Sequence, residues 1–211
     1  MLIPFHELQQ KYNIYPKGII HVGANYGQEA NEYYRNGVDN VIWIEANPKI
    51  MEGLVKYLSS YQKFNPFYVI NECVSDEDGK EVTFNVANNE GQSSSILDLN
   101  YHKIAHSEVY YTEQITLKTK TLNTIFKNFN LSDFSFLNAD IQGAELLMLK
   151  GATEILPKMK YLFLEVNKKE LYTGCPMVEE IDEFVSQYGF ERVQTEWCGD
   201  FGWGDALYIK K

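Results

Sequence analysis

With 211 residues, 45% of them hydrophobic, the chain is long enough for one domain with a sizeable core. Its net charge of −10 and sequence pI of about 4.9 disfavour the phosphates of a nucleic acid as partner. No stretch approaches the ~20 apolar residues of a membrane span, and the first residues show no basic segment followed by a long apolar core, so neither membrane nor secretion is expected.

Residues 1–17 read as a leader packed on a sheet: Phe5, Leu8 and Tyr12 have helical spacing and Pro16 closes the segment. Gly18 to Val22 is a short apolar run of the buried parallel-strand kind. It stops at Gly23-Ala-Asn-Tyr-Gly27, and a helix is expected from about Gln28 to Asn36, with Ala30, Tyr33 and Tyr34 inward and Gly37 as its stop. A second apolar run, Val41 to Glu45, ends on a carboxylate. Pro48 opens a further helix, with Ile50, Met51, Leu54, Val55 and Leu58 as its stripe.

Phe67 to Val74 reads as a third strand, Asp76 to Gly79 as a turn, and Glu81 to Val86 as a hairpin strand. Asn88 to Ser95 is a polar loop too long for a simple turn, a binding loop or a mobile surface one. His102 and His106 are spaced to share a helix face and a metal, but no third ligand stands at a recognisable distance. Ile115 to Thr119 is another strand, followed by a helix over Leu122, Ile125, Phe126 and Phe129 with Thr121 as N-cap. Phe134 to Asp140 again ends on a carboxylate; a helix spans Gly143 to Gly151, and Tyr161 to Asn167 carries Glu165 near its end. Val178 to Tyr188 forms the last helix, stopped at Gly189. Phe190 to Glu196 and Ala206 to Ile209 are the final strands, enclosing a Gly- and Trp-rich loop from Trp197 to Asp205.

Strands and helices alternate until the last helix, after which strands pair directly. That pattern predicts an α/β fold: a doubly wound, mostly parallel sheet finished by an antiparallel hairpin, with a small hairpin and long loop inserted before the fourth strand. Ligands of such sheets lie outside the carboxyl ends of the strands, so Glu45, Asp140 and Glu165 are expected to converge on one crevice. Gly23 and Gly27 permit a sharp turn and close approach of a ligand, and Glu45, about 20 residues on, can accept both hydroxyls of a ribose. Gly-x-x-x-Gly is not the Gly-x-Gly-x-x-Gly of a pyrophosphate site. It fits a ligand with adenosine but no phosphates, as in S-adenosylmethionine; the alternative is that the glycines serve only a βα turn and Glu45 is a surface acid. Cys73, Cys175 and Cys198 have no metal-type spacing and read as reduced thiols of a cytoplasmic protein.

Together these blocks resemble the FkbM-type methyltransferases, class I enzymes that use S-adenosylmethionine. The resemblance covers nearly the whole chain. It rests on Ile20 to Glu29, Val41 to Pro48, Gly91 to Ser95, Leu137 to Glu145, Lys150 to Ala152, Leu164 to Asn167 and Trp203 to Tyr208. Many members carry Asp where this chain has His21, and an acid where it has Gln142. The resemblance implies a seven-stranded Rossmann-like sheet and O-methylation of a sugar, glycan or other hydroxyl-bearing metabolite. Cofactor contacts are then expected from the Gly23–Gly27 loop with Ala24 and Asn25, through backbone amides and the Asn25 side chain. Further contacts are expected from His21, Glu45, Ala46 and Gln142, with Val74 and Ser75 beside the adenine.

Asp140 is expected where sulfonium and acceptor meet, with Glu165 as a second base or substrate holder and His102 as a third catalytic group. Ser94, Ser95, Asn167, Tyr172 and Trp203 are expected around the acceptor, the Trp face stacking on a sugar ring. The competing readings for these residues are structural: Asp140 and Glu165 capping helices or pairing with lysines, His102 on the surface, Trp203 in the core, and Glu145 serving the dipole of its helix. A divalent cation on Asp140, Glu165 and His102 would also activate a hydroxyl, without support from any ligand spacing. Rival functions are a non-catalytic cofactor-binding subunit, a nicotinamide-dependent oxidoreductase, and methylation of a protein side chain.

Overall fold

A computed structural model describes residues 1–60 and 68–211. In chain order the elements are α1 (Phe5–Tyr12), β1 (Gly18–Val22), α2 (Ala30–Arg35), β2 (Asn40–Glu45), α3 (Pro48–Leu58), β3 (Tyr68–Asn71), β4 (Cys73–Val74) and β5 (Glu81–Ala87). They continue with α4 (His102–Ala105), β6 (Tyr111–Lys120), α5 (Leu122–Ile125), β7 (Phe134–Ala139), α6 (Glu145–Lys150), β8 (Tyr161–Asn167), α7 (Val178–Ser186), β9 (Phe190–Trp197) and β10 (Trp203–Lys210). A 3-10 turn at Leu156–Lys158 precedes β8.

The main sheet has seven strands in the order β3-β2-β1-β7-β8-β10-β9. The pairs from β3 through β8 are parallel, and β10 runs antiparallel to both β8 and β9. The order reverses between β1 and β7, and such a switch point opens a crevice above the strand ends. The expected α/β sheet with its C-terminal hairpin is borne out, as is the inserted hairpin: β5 and β6 pair antiparallel, with β4 on the outer edge of β6.

Alternation along the strands sorts side chains onto two faces. Ile20, Ile42, Leu137, Leu162 and Leu164 face the helices α5 to α7, among them Met148, Leu149, Ile181 and Val185. Ile19, Val41, Trp43, Phe136, Phe163 and Leu207 face α1 to α3, where Phe5, Leu8, Tyr33, Leu54 and Leu58 meet them. The expected leader does pack on the sheet: the Phe5 ring makes edge contacts with Tyr33 and Phe136 at centroid distances of 5.2 and 5.5 Å. Asn47 Oδ1 caps α3 by accepting from Lys49 N at 3.0 Å, with Pro48 at the first helical position.

Several boundaries differ from expectation. Phe67 lies outside the described residues, and the strand expected up to Val74 breaks at Glu72: β3 stays in the main sheet, while Cys73 and Val74 pair with Thr119 and Lys120. A salt bridge between Glu72 and Lys120 spans this transfer. Val55 is exposed and only Ile50, Leu54 and Leu58 are buried on α3, a stripe one residue wide per turn. Phe129 lies beyond α5 and is partly exposed. The last loop shrinks to 198–202, because Trp203, Gly204 and Asp205 pair with β8, and Gly204 and Asp205 also with β9.

Candidate functional site

The face that meets α1 to α3 carries a row of side chains across neighbouring strands: Trp43, His21, Asn138 and Phe163 are register partners, and Leu207 faces Phe163. The row is half polar and fully tied. Asn138 Nδ2 donates to Tyr33 Oη at 2.7 Å, and Tyr33 Oη lies 3.1 Å from His21 Nδ1. His21 stacks on Trp43 at 5.1 Å, and burial pushes its pKa down to about 3, so the ring is neutral.

Two residues further toward the carboxyl ends, the same side of the sheet presents Glu45, Gly23, Asp140, Glu165 and Asp205. Asp205 is the register partner of Glu165, and Asp140 N donates to Val22 O at 3.1 Å. Gly23 sits between the acids with φ +82, and a Cβ there would stand 1.9 Å from the Asp140 carbonyl oxygen. Only glycine permits that approach of β1 to β7. The three carboxylates thus come together because Asp140, directly after β7, Glu165, near the end of β8, and Asp205, near the start of β10, stand at the same level of the sheet.

Above this row lies a cavity of about 640 Å³, within the range of small-molecule sites. Of the expected residues, His21, Gly23, Asn25, Glu45, Ala46, Val74, Ser94, His102, Asp140, Gln142, Glu165 and Trp203 line it. Glu45 is nearly buried; its Oε1 accepts from Asn47 N at 2.7 Å and its Oε2 from Asn25 N at 2.8 Å. Burial raises its pKa and these backbone hydrogen bonds oppose the shift. Asp140 is open to the cavity, yet the surrounding protein raises its pKa through desolvation, opposed by the Gln142 hydrogen bond. Glu165 is buried and raised further, by desolvation and then by the charges of Asp140, Glu145 and Asp205.

The polar loop is ordered, and its three serines are buried. Asn89 Nδ2 donates to Ser93 Oγ at 2.9 Å, Ser93 N donates back to Asn89 Oδ1 at 3.2 Å, and Ala87 N donates to Ser94 Oγ at 3.0 Å. On the opposite wall Trp203 Nε1 donates to His106 Nε2 at 3.3 Å, and Phe201 packs on His106 at 4.7 Å. His102 is buried against His106 and Tyr172, with no hydrogen-bond partner for Nδ1; desolvation and then His106 push its pKa down to about 4. A neutral ring of such low basicity is a poor proton acceptor. Among the described residues no group of three or more His, Cys, Asp or Glu is disposed to hold a metal ion.

Six expected residues stand behind the wall rather than in it. Ala24 is buried, and Gly27 closes the turn by donating to Ala24 O, where a Cβ would meet Leu54 Cδ1 at 2.8 Å. Ser75 is buried, and its carbonyl oxygen presses on Gly151, where a Cβ would stand at 2.2 Å. Ser95 Oγ donates to the Gln142 carbonyl at 2.8 Å, and the Tyr172 hydroxyl donates to Gln142 Oε1. Asn167 is fully buried with both amide atoms unpartnered. The expected use of backbone amides also needs correction: Gly23 N and Ala24 N donate to Ile44 O, and Asn25 N donates to Glu45. The Asn25 side chain bonds Glu90 O, Tyr26 N and Gln28. Those donors hold the turn together. Asp205, Glu29 and Gln92 line the cavity without having been singled out; for Asp205 the signal was a carboxylate in an antiparallel end strand.

A family model described as the methyltransferase FkbM domain matches residues 21–192. The chain belongs to the FkbM methyltransferase family. The resemblance drawn from the sequence blocks is thereby borne out, and this FkbM protein is an S-adenosylmethionine-dependent methyltransferase. It is 24% identical over 183 residues to the 2-O-methyltransferase NoeI of Sinorhizobium fredii, covering 81% of this chain and 74% of the relative. Its fold is similar to that of M. capricolum TrmK bound to S-adenosyl-homocysteine, with a TM-score of 0.56 and 9% identity over all of this chain and 70% of the other. It is also similar to Streptococcus pneumoniae Sp1610 with S-adenosyl-L-methionine, with a TM-score of 0.54 and 12% identity over 99% of this chain and 73% of the other.

The residues fit that cofactor. Each Glu45 oxygen uses one lone pair on a backbone N–H and keeps another for a ribose hydroxyl. Among the described residues seven carboxylates and no lysine or arginine line the cavity, a wall that attracts a sulfonium and repels a pyrophosphate.

Proposed function

We propose that this FkbM protein methylates a hydroxyl oxygen of an uncharged sugar or glycan. The observation that carries the reading is the lining of the cavity: carboxylates at the strand ends, a histidine and tryptophan wall opposite, and no cationic side chain among the described residues. Aromatic faces favour the C–H surface of a sugar ring, and carboxylates and amides accept and donate to its hydroxyls. A nucleotide-linked or phosphorylated acceptor would bring its anionic groups against seven acids. The acceptor is therefore a free sugar or a glycoside, from which any nucleoside diphosphate has already departed. The similarity to a 2-O-methyltransferase supports oxygen as the atom methylated. All three cysteines are free, which supports a reducing compartment, the cytoplasm.

When bound, S-adenosylmethionine supplies a methyl carbon already activated by its sulfonium. The chain's own residues then have three tasks. Glu45 accepts from the ribose hydroxyls, and the walls around Val74 and Ile44 cover an apolar ring. Trp203, Ser94 and His102 orient the acceptor. Asp140, open to the cavity, takes the hydroxyl proton on its carboxylate, and its raised pKa makes it a stronger base than an ordinary aspartate. Glu165, buried beside it, keeps its proton in preference to Asp140 and so donates a hydrogen bond to the acceptor.

The test is uptake of labelled methyl from S-adenosylmethionine into neutral sugars and glycosides, nucleotide sugars, and protein hydroxyls. Neutral sugars or glycosides are expected to take label and nucleotide sugars to fail. Asp140→Asn is expected to lose about 10²–10⁴-fold in turnover while still binding S-adenosyl-homocysteine. Preference for nucleotide sugars, or wild-type turnover by Asp140→Asn, would overturn the reading.

A further inference from the structure

Gln142 occupies a backbone conformation that glycine would adopt more readily, with φ +55. It is held there from four sides. Its Nε2 donates to Asp140 Oδ1 at 2.5 Å and to Glu165 Oε2 at 3.0 Å. Its Oε1 accepts from the Tyr172 hydroxyl, and its main-chain carbonyl accepts from Ser95 Oγ at 2.8 Å. The orientation of the amide follows from these partners. A flipped amide would aim its carbonyl oxygen at the ionised Asp140, which offers it no donor. A strained residue fixed by surrounding contacts at a ligand cavity is the usual signature of a functional constraint.

We propose that Gln142 is a positioning residue that makes two adjacent carboxylates unequal, one amide holding Asp140 ionised and open to the cavity while it keeps Glu165 seated in the wall. The proposal rests on the reading of Asp140 as proton acceptor. Both amide hydrogens are used, so the two acids are satisfied without a charge being added between them. Through Tyr172 and Ser95 the same residue ties this geometry to the segments before α7 and after β5, which flank the acceptor side. The groups that face Asp140 are Glu165 from β8, Asp205 from β10, Glu145 from α6, Glu29 ahead of α2, His21 from β1 and the N-terminal ammonium. The carboxylates in this set favour a protonated Asp140, and buried His21 is neutral. The Gln142 N–H works the other way, followed by the N-terminal ammonium, because both stabilise the charged form.

Carboxyl carbon-13 NMR titration of the cofactor-free protein tests this directly. Gln142→Gly removes the amide and relieves the positive φ; Gln142→Glu keeps the size and sets a third acid between the other two. In both, the Asp140 midpoint is expected to rise by about one pH unit, a tenfold change in its proton affinity. The larger rise is expected for Gln142→Glu. Relief of the positive φ offsets only part of what the buried Tyr172 hydroxyl and Glu165 lose in Gln142→Gly, so its thermal midpoint is expected to fall by a few degrees; a cooperative transition separates loss of positioning from loss of fold. Calorimetry gives the second readout: in Gln142→Gly the affinity for S-adenosylmethionine relative to S-adenosyl-homocysteine should fall in the pH interval between the wild-type and the shifted Asp140 midpoints, the neutral thioether being blind to the lost charge. An unchanged Asp140 midpoint in both variants, or equal losses for the two ligands, would overturn the proposal and leave Gln142 a plain contact. A failed screen of sugar acceptors would leave the midpoint shift intact, so the two readings fail separately.

Discussion

Glu45 clips Asn25 and Asn47 to the end of β2 while its remaining lone pairs face the cavity. One carboxylate thus shapes the turn after β1 and offers the acceptor pair for a ribose. Charge-assisted hydrogen bonds of this kind contribute roughly 1.5–3 kcal/mol each. Glu45→Ala is therefore expected to weaken S-adenosylmethionine and S-adenosyl-homocysteine by the same factor, about tenfold or more, since the ribose is common to both. Calorimetry with unchanged affinity would remove Glu45 from that role. At this scale the sequence was a good guide to carboxylates and a poor one to backbone amides. An acid after an apolar run can be placed at a strand end by counting. Whether Gly23 N or Asn25 N is free for a ligand depends on a partner strand, here Ile44 O and Glu45, which no local pattern shows.

Among the elements, what could be read was what depends on short-range alternation. β1, β2, β7 and β8 are apolar runs bounded by glycine, proline or a carboxylate, and they stand within a residue or so of expectation. The α3 N-terminus followed from Pro48, and Thr121 does cap α5 by accepting from Thr124 N at 3.2 Å. The misplaced boundaries are those decided by distant partners. Trp203 to Asp205 resemble a loop because glycine and polar residues dominate there, yet Val166 and Asn167 give them a strand to pair with. The strand expected over Phe67 to Val74 splits because Thr119 and Lys120 recruit its end into the second sheet. Asn88 to Ser95 has the composition of a mobile loop, but Asn85, Ala87 and Gln142 satisfy its serines and bury them. Glu145 reads as a first-turn acid serving the dipole of its helix; in the fold it is also fully buried, with Oε1 accepting from Ile141 N at 2.9 Å and Oε2 unpartnered.

Across the whole molecule, acids are concentrated where the strands end, and this has a cost in stability that varies with pH. Desolvation pushes the Glu145 carboxyl up to about 8 and the Asp205 carboxyl up to about 6, against ordinary values of 4.5 and 3.8. Between the ordinary and the raised values the folded chain keeps protons that the unfolded chain has released. Raising the pH through that window therefore favours unfolding. Thermal unfolding is expected several degrees lower at about pH 8 than at about pH 6.5, above the range in which the neutral His21 and His102 work the other way, and Glu145→Gln should flatten part of that decline, Glu165 carrying the rest. A midpoint that rises across this interval would show that these acids ionise in the folded state as readily as in water.

The row Glu45, Gly23, Asp140, Glu165 and Asp205 is the feature on which the site and its chemistry depend. Its most direct test is a crystal structure of the protein with S-adenosyl-homocysteine bound. The account predicts the ribose hydroxyls within about 3 Å of the Glu45 oxygens, the thioether sulfur facing Asp140 and Trp203 across the cavity, and Gln142 still bridging Asp140 to Glu165. A ligand seated elsewhere, or a Glu45 and Asp140 turned away from it, would contradict the account.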